Sequence, residues 1–317
     1  MNTPQYHGKR RLTQVAALIA LTLIPVLGIF RIDLTTASLM LLGHPVTLRN
    51  FPVILGLALF LAAAPLVTYT TIGTVWCGWL CPQNSVAEWA NVLTHRFLGH
   101  RANVDVESAG LIVAPSKNKA LNWTVLSASL LGISLVLGII PLFYFVPPDE
   151  IWSLLTLHAD PQFAQFMHRL YFVSIVAVLV DTAVFRHFWC NFLCPYRYGQ
   201  LLFRTGDALH VHYDATRSAD CARCNYCTTM CVTGITPTDI RPVDRCIDCG
   251  ECIDACNRLH ARKNRGEGLL RFEFGTEQGA SGVRAFFRSA LRRLGIPGLL
   301  TLVALAMIAW GLMRPAA

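Results

Sequence analysis

The chain has 317 residues, 54% hydrophobic and only 15% charged, with a net charge of +8. A soluble domain of this size carries about 25% charged residues, so an ordinary water-soluble fold is excluded. The basic excess, 27 Lys and Arg against 19 Asp and Glu, alternates along the chain between apolar blocks. It therefore reads as membrane topology rather than as a nucleic-acid surface.

Lys9-Arg10-Arg11 precede the first apolar block, at about 12–30. Such a block resembles a signal peptide, but no small-x-small cleavage site follows and further blocks do, so it is read as an anchor. The stretch 31–50 is poor in Lys and Arg, with Arg31 and Arg49 at its edges. A second apolar block covers 51–73, a third 121–146, a fourth 169–187 and a fifth 297–313. Each matches the roughly 20 residues needed to cross a bilayer. Arg96, Arg101, Lys117 and Lys119 lie between the second and third blocks, 147–168 is again poor in basic residues, and a large basic excess fills 197–293. The positive-inside rule then places the N-terminus, 74–120 and 188–296 in the cytoplasm, and the C-terminus outside.

Trp76-Cys77-Gly78-Trp79-Leu80-Cys81-Pro82 follows the second block, and Trp189-Cys190-Asn191-Phe192-Leu193-Cys194-Pro195 follows the fourth. The unit of two spans and a Cys-x3-Cys-Pro is thus repeated once, and repeats in membrane proteins place functional sites at their interface. Two geometries fit the motif. Either the two Cys share one helix face, or the span ends near the first Cys and Pro opens a new helix. Soft thiolates at Cys77, Cys81, Cys190 and Cys194 suit Cu(I) or an iron–sulfur cluster; redox dithiols or a structural pair are the plainer alternatives.

Asp181 falls within the fourth block, where a carboxylate is costly unless it faces the bundle interior. It reads equally as a proton or quinone contact or as an inter-helix hydrogen bond. His44, His158 and His168 are isolated residues of the outer stretches and carry no ligand pattern. His187, at the mouth of the second cysteine motif, is the better candidate.

The remaining eight of the twelve cysteines form two runs, Cys221-Cys224-Cys227-Cys231 and Cys246-Cys249-Cys252-Cys256, each C-x2-C-x2-C-x3-C. Three sulfurs must converge on one cube from a single tight loop, while the fourth reaches the other cube. One 4Fe–4S cluster is accordingly expected on Cys221, Cys224, Cys227 and Cys256, and a second on Cys246, Cys249, Cys252 and Cys231. Disulfides are disfavoured in a reducing compartment, and zinc sites rarely need two such quartets. Val232 and Asn257 stand where proline commonly follows the fourth cysteine, which bears on loop geometry and hydrogen bonds to sulfur. There is no C-x-x-C-H for haem attachment and no glycine-rich nucleotide loop. The linker 257–282 reads as irregular. Residues 283–294, with Val283, Phe286, Phe287, Ala290, Leu291 and Leu294 opposite arginines, read as an amphipathic helix on the membrane surface.

The fold expected is mainly α: about five transmembrane helices with a small α+β ferredoxin-like two-cluster module on the cytoplasmic side of an inner membrane. The divisions are 1–120, 121–205, 206–282 and 283–317.

The order of these features resembles the family of cytochrome oxidase accessory proteins called CcoG, RdxA or FixG. The resemblance is carried by Val75 to Gln83, by Cys194-Pro195-Tyr196 and by His212-Tyr213-Asp214-Ala215-Thr216-Arg217. It continues through Thr233-Gly234-Ile235, Cys246-Ile247-Asp248-Cys249 and Gly268-Leu269-Leu270-Arg271-Phe272, covering most of 12–313. It implies a protein that helps assemble a cbb-type oxidase by reducing Cu(II) to Cu(I). The eight ferredoxin cysteines would hold clusters, and Cys77, Cys81, Cys190 and Cys194 would be the copper-linked pairs. The partners implied are a cytoplasmic electron donor and oxidase assembly factors or a copper transporter. The usual outer immunoglobulin-like domain is absent from this sequence. NapH and NosR proteins look similar, which keeps a quinol dehydrogenase or electron conduit as the alternative. A non-catalytic copper or iron–sulfur carrier is a third.

Overall fold

The computed structural model describes residues 5–34, 38–47, 49–99, 102, 104, 111–156, 161–203, 208–221, 224–241, 244–264, 266–274 and 294–313. Helices α1 (Tyr6–Val26), α2 (Phe51–Thr71), α3 (Pro82–Leu98), α4 (Ala120–Leu137), α5 (Ile140–Phe143), α6 (Pro148–Leu155) and α7 (Pro161–Val180) come first. They are followed by α8 (Pro195–Phe203), α9 (Tyr226–Thr229), α10 (Glu251–Arg262) and α11 (Gly295–Met313). Strands β1 (Phe30–Asp33), β2 (Ser38–Leu41) and β3 (His44–Val46) form one antiparallel sheet, and β4 (His210–Tyr213) pairs antiparallel with β5 (Leu270–Glu273).

Among the described residues, four helical stretches are long and apolar enough to cross a membrane: Phe51–Thr71, Ala120–Phe143, Ala164–Phe185 and Gly295–Met313. Leu61, Phe172 and Leu302 on these helices are 62%, 66% and 66% exposed, as lipid-facing side chains are. α1 is not among these four: it carries Lys9, Arg10 and Arg11 in its own first turns and ends at Val26. Its apolar part is therefore short of the roughly 20 residues a span needs. The fourth expected block also begins earlier than 169, since Pro161 opens α7 and His168 lies on it. The expected outer stretch 31–50 is largely the β1–β3 sheet, and His44 sits exposed on β3. His158 and the expected amphipathic helix at 283–294 lie outside the described residues.

The chain divides into two compact units. The first gathers 1–16, 56–85 and 193–306; the second gathers 17–55, 86–192 and 307–317. In the second, α4 and α7 pack closely at Gly138, where an added methyl would sit 3.2 Å from Ile175. Two hydroxyls bridge the pair: Ser174 donates to the Gly138 carbonyl at 2.7 Å and Tyr171 to the Leu135 carbonyl at 2.7 Å. Small residues and interhelical hydrogen bonds are what hold helices together where the surrounding medium is as apolar as they are. Leu126 and Leu130 of α4 also join Ala90 and Leu98 of α3 in a buried core.

In the first unit, β4 and β5 back a core of Val211, Ile253 and Leu270 into which Cys246 and Cys252 are built. This is the α+β module expected from the cysteine spacing.

Candidate iron–sulfur and thiol centre

The two cysteine runs exchange their last members. A cavity of about 410 Å³ is lined by Cys221, Cys224, Cys227 and Cys256. A second, narrower space of about 10 Å³ is lined by Cys231, Cys246, Cys249 and Cys252. Each loop thus brings three thiols to its own space and sends its fourth cysteine along the next helix to the other. Asn225 and Asp248 take the left-handed backbone, with φ of 51° and 48°, which turns the chain tightly enough for three sulfurs to face one way. Gly250 does the same at φ 82°, where a side chain would also strike Tyr6.

The donor set fits an iron–sulfur group. Burial pushes the Cys249 thiol up to about 12 and raises those of Cys246 and Cys252 as well. Neighbouring thiolates add to the rise, so four sulfurs can be ionised together only beside a cation. Backbone amides approach the sulfurs: Leu269 N–H donates to Cys256 Sγ at 3.3 Å. Asn257, which replaces the expected proline, accepts from Gly268 N–H at 2.9 Å and fixes that donor strand. Among the described residues, no three His, Cys, Asp or Glu side chains converge as a single-ion site would require.

The first Cys-x3-Cys-Pro motif takes the second of its two possible geometries. Residues Trp76–Leu80 form one π-helical turn, Cys81 is extended at φ −66°, ψ 119°, and Pro82 opens α3. The second motif repeats this over Trp189–Leu193 and Pro195. Proline suits the first helical position because its missing N–H has no partner there in any case, and π turns recur at functional sites.

Within the first unit, Cys77, Cys81 and Cys194 come close enough for each thiolate to oppose ionisation of Cys77. Burial is the larger cause, and together they push that thiol up to about 12. Gln200 Nε2 donates to Cys77 Sγ at 3.6 Å. Tyr196 donates its hydroxyl to Thr68 Oγ1 at 2.8 Å and lies edge-on to Tyr69, which seats α8 against the end of α2. Cys190 belongs to the second unit, as does His187, whose Nδ1 accepts from Asn91 Nδ2 at 3.3 Å. Asp181 opens a π turn of its own, Asp181–Phe185, and its carbonyl accepts the Arg186 N–H at 2.7 Å.

The π turn of the first motif rests directly on the second ferredoxin loop. A methyl on Gly78 would strike the Ile247 carbonyl oxygen and lie 3.2 Å from Cys249 Cα. Trp79 Nε1 donates to the Asp248 carbonyl at 2.9 Å, and the Asp248 carboxylate accepts from the Thr74 hydroxyl and, at 3.3 Å, from the Thr74 N–H. Arg10 is fully buried beneath them. Its Nε donates to the Gly78 carbonyl at 3.0 Å and its Nη1 to Glu251 Oε1 at 2.6 Å. Breaking a buried ion pair of this kind costs about 3–5 kcal/mol. Asp254 caps α1 by accepting from the N–H groups of Tyr6 and His7 at 2.8–2.9 Å. In the sequence Arg10 reads as a topology charge and Asp248 only as part of a shared motif, while Glu251 and Gln200 carry no signal of their own. The one available signal was the replacement of Gly78 by Asn191 in the repeat.

A 4Fe-4S binding domain matches residues 54–101 and 168–196, the two segments that carry the Cys-x3-Cys-Pro motifs, and a 4Fe-4S dicluster domain matches 215–275. Protein RdxA of Cereibacter sphaeroides is 29% identical over 76% of this chain and 52% of its own length. The nitrogen fixation protein FixG of Rhizobium meliloti is 25% identical over 71% of this chain and 45% of its own. The ferredoxin-type protein NapH of Escherichia coli is 26% identical over 60% and 62%. The chain is thus similar to the polyferredoxin-like 4Fe–4S proteins RdxA, FixG and NapH. The polyferredoxin-like chain spans about half the length of RdxA and FixG. No solved structure matches it.

Proposed function

We propose that the protein carries electrons from a cytoplasmic donor to Cu(II) at the membrane surface, in the assembly of a cbb-type cytochrome oxidase. The observation that supports this most directly is the backbone contact between Gly78 and the Ile247–Cys249 loop. It sets one thiol pair against one cluster loop. Bound on the two cysteine quartets, a pair of 4Fe–4S clusters would supply one-electron chemistry at low potential. Cys221, Cys224, Cys227 and Cys256 would hold the first, and Cys246, Cys249, Cys252 and Cys231 the second. Cys77, Cys81 and Cys194 would receive copper as substrate, since thiolates favour Cu(I) over Cu(II). The one electron that turns Cu(II) into Cu(I) would come, in balance, from the cytoplasmic donor.

A second reading, a quinol dehydrogenase, is favoured by the similarity to NapH and by the buried Gln200 amide beside Cys77. The test is anaerobic stopped-flow of the reduced protein, following iron–sulfur absorbance after Cu(II) or a soluble quinone is added. Rapid reoxidation by Cu(II), at least tenfold slower in Cys77→Ser and Cys194→Ser with iron content unchanged, is the expected result. Reoxidation by quinone alone would replace the copper reading with the quinol one. Loss of iron from those two variants would make the thiols structural.

A further inference from the structure

The N-terminal helix lends the second cysteine quartet a buried positive charge. Arg10 is fully buried, and its guanidinium is held in two directions at once, by the Gly78 carbonyl at 3.0 Å and by Glu251 Oε1 at 2.6 Å. Both anchors adjoin the same ligand loop. Gly78 abuts Cys249, and Glu251 lies two residues beyond it. His7 Nδ1 meets Glu251 Oε1 at 2.7 Å from the exposed side. The cavity of the first quartet is bordered by Tyr213, Asn225, Thr228 and His260.

A charge fixed in a water-excluded site acts far more strongly than one in solvent. A 4Fe–4S group becomes more negative by one charge on reduction, so a nearby cation favours the reduced form and an anion disfavours it. Arg10 and Glu251 oppose one another here. Asp248, also buried, places its Oδ1 3.5 Å from Cys246 Sγ and adds a second opposing charge.

We infer that Arg10 is a potential-setting residue, raising the reduction potential of the 4Fe–4S group on Cys231, Cys246, Cys249 and Cys252 against the buried Glu251 and Asp248 carboxylates beside it. The inference rests on the cluster assignment proposed above. The quartet so tuned is the one beside Gly78, next to the thiol pair that would pass electrons on. Arg10 acts through the ligand loop and touches no substrate, so its role is one of positioning charge.

The test is a redox titration of the full-length protein in detergent, followed by electron paramagnetic resonance. Wild type, Arg10→Gln, Arg10→Lys and Glu251→Gln are compared at equal iron content. The expected result is a shift of one cluster to more negative potential in Arg10→Gln, restoration in Arg10→Lys, and a shift of the same cluster to more positive potential in Glu251→Gln. The other cluster stays put in all three. Two clusters in wild type with neither moved by Arg10→Gln, or with both moved alike, would overturn the inference. Should Arg10→Gln lose iron, the Glu251→Gln titration decides, and an unchanged or lowered potential there overturns it as well. A single cluster in wild type would instead remove the assignment beneath it.

Discussion

At Gly78 the backbone of the membrane-side thiol turn meets the backbone of a cluster loop with only a hydrogen between them. Gly78→Ala forces a methyl against the Ile247 carbonyl, and backbone cannot yield as a flexible side chain would. The overpacking should cost about 1–3 kcal/mol. It should also slow reoxidation of the reduced protein by its acceptor, while Asn191→Ala, at the equivalent place in the repeat, leaves the rate near wild type. Thermal unfolding and stopped-flow absorbance measure the two effects. At this scale the cysteines were legible in the sequence, because three sulfurs around one cube allow few spacings. Arg10 was not. In a run of Lys9-Arg10-Arg11 a buried guanidinium and a topological charge look alike, and the difference lies in Glu251, 241 residues away.

At the scale of elements, the Cys-x3-Cys-Pro motif was half legible. Proline announced a new helix after each pair, but the π turn preceding it depends on packing that no local propensity records. The first apolar block was legible as a helix, but its start was not. It is helical, but the helix starts at Tyr6 because Asp254 caps it there, and the charged first turns belong to the same rod. A second carboxylate cap has a pH consequence. Asp214 accepts from the Thr216 hydroxyl and N–H at the head of the 3-10 turn Ala215–Asp220, just before Cys221. These bonds, the hydroxyl first, hold its carboxyl below the usual 3.8. A depressed carboxylate contributes stability that is present above its unfolded value and fades as pH falls through the folded one. The turn should therefore loosen below about pH 4, read as faster amide exchange at Thr216, and Asp214→Asn should abolish that pH dependence.

For the molecule as a whole, the alternation of basic residues argues that the loop carrying Lys117 and Lys119 lies on the same side as the dicluster module. Trypsin should cut at Lys117 in inside-out vesicles and leave it intact in spheroplasts; cleavage only in spheroplasts would reverse the orientation. Membrane association and the two-cluster module were legible from composition and spacing. The gathering of residues 1–16, 56–85 and 193–306 into one unit was not, because it rests on contacts between segments far apart in the chain.

The cap on α1 makes that separation a matter of time. Tyr6 and the carboxylate that receives its N–H stand 248 residues apart. At about 5–20 residues per second of synthesis, the partner arrives some 10–50 s after the helix it closes. Through that interval the first turn of α1 has neither its cap nor the acid that pairs with Arg10. Its final seating must then follow translation of the second cysteine run, so the beginning of the chain is among the last parts to settle.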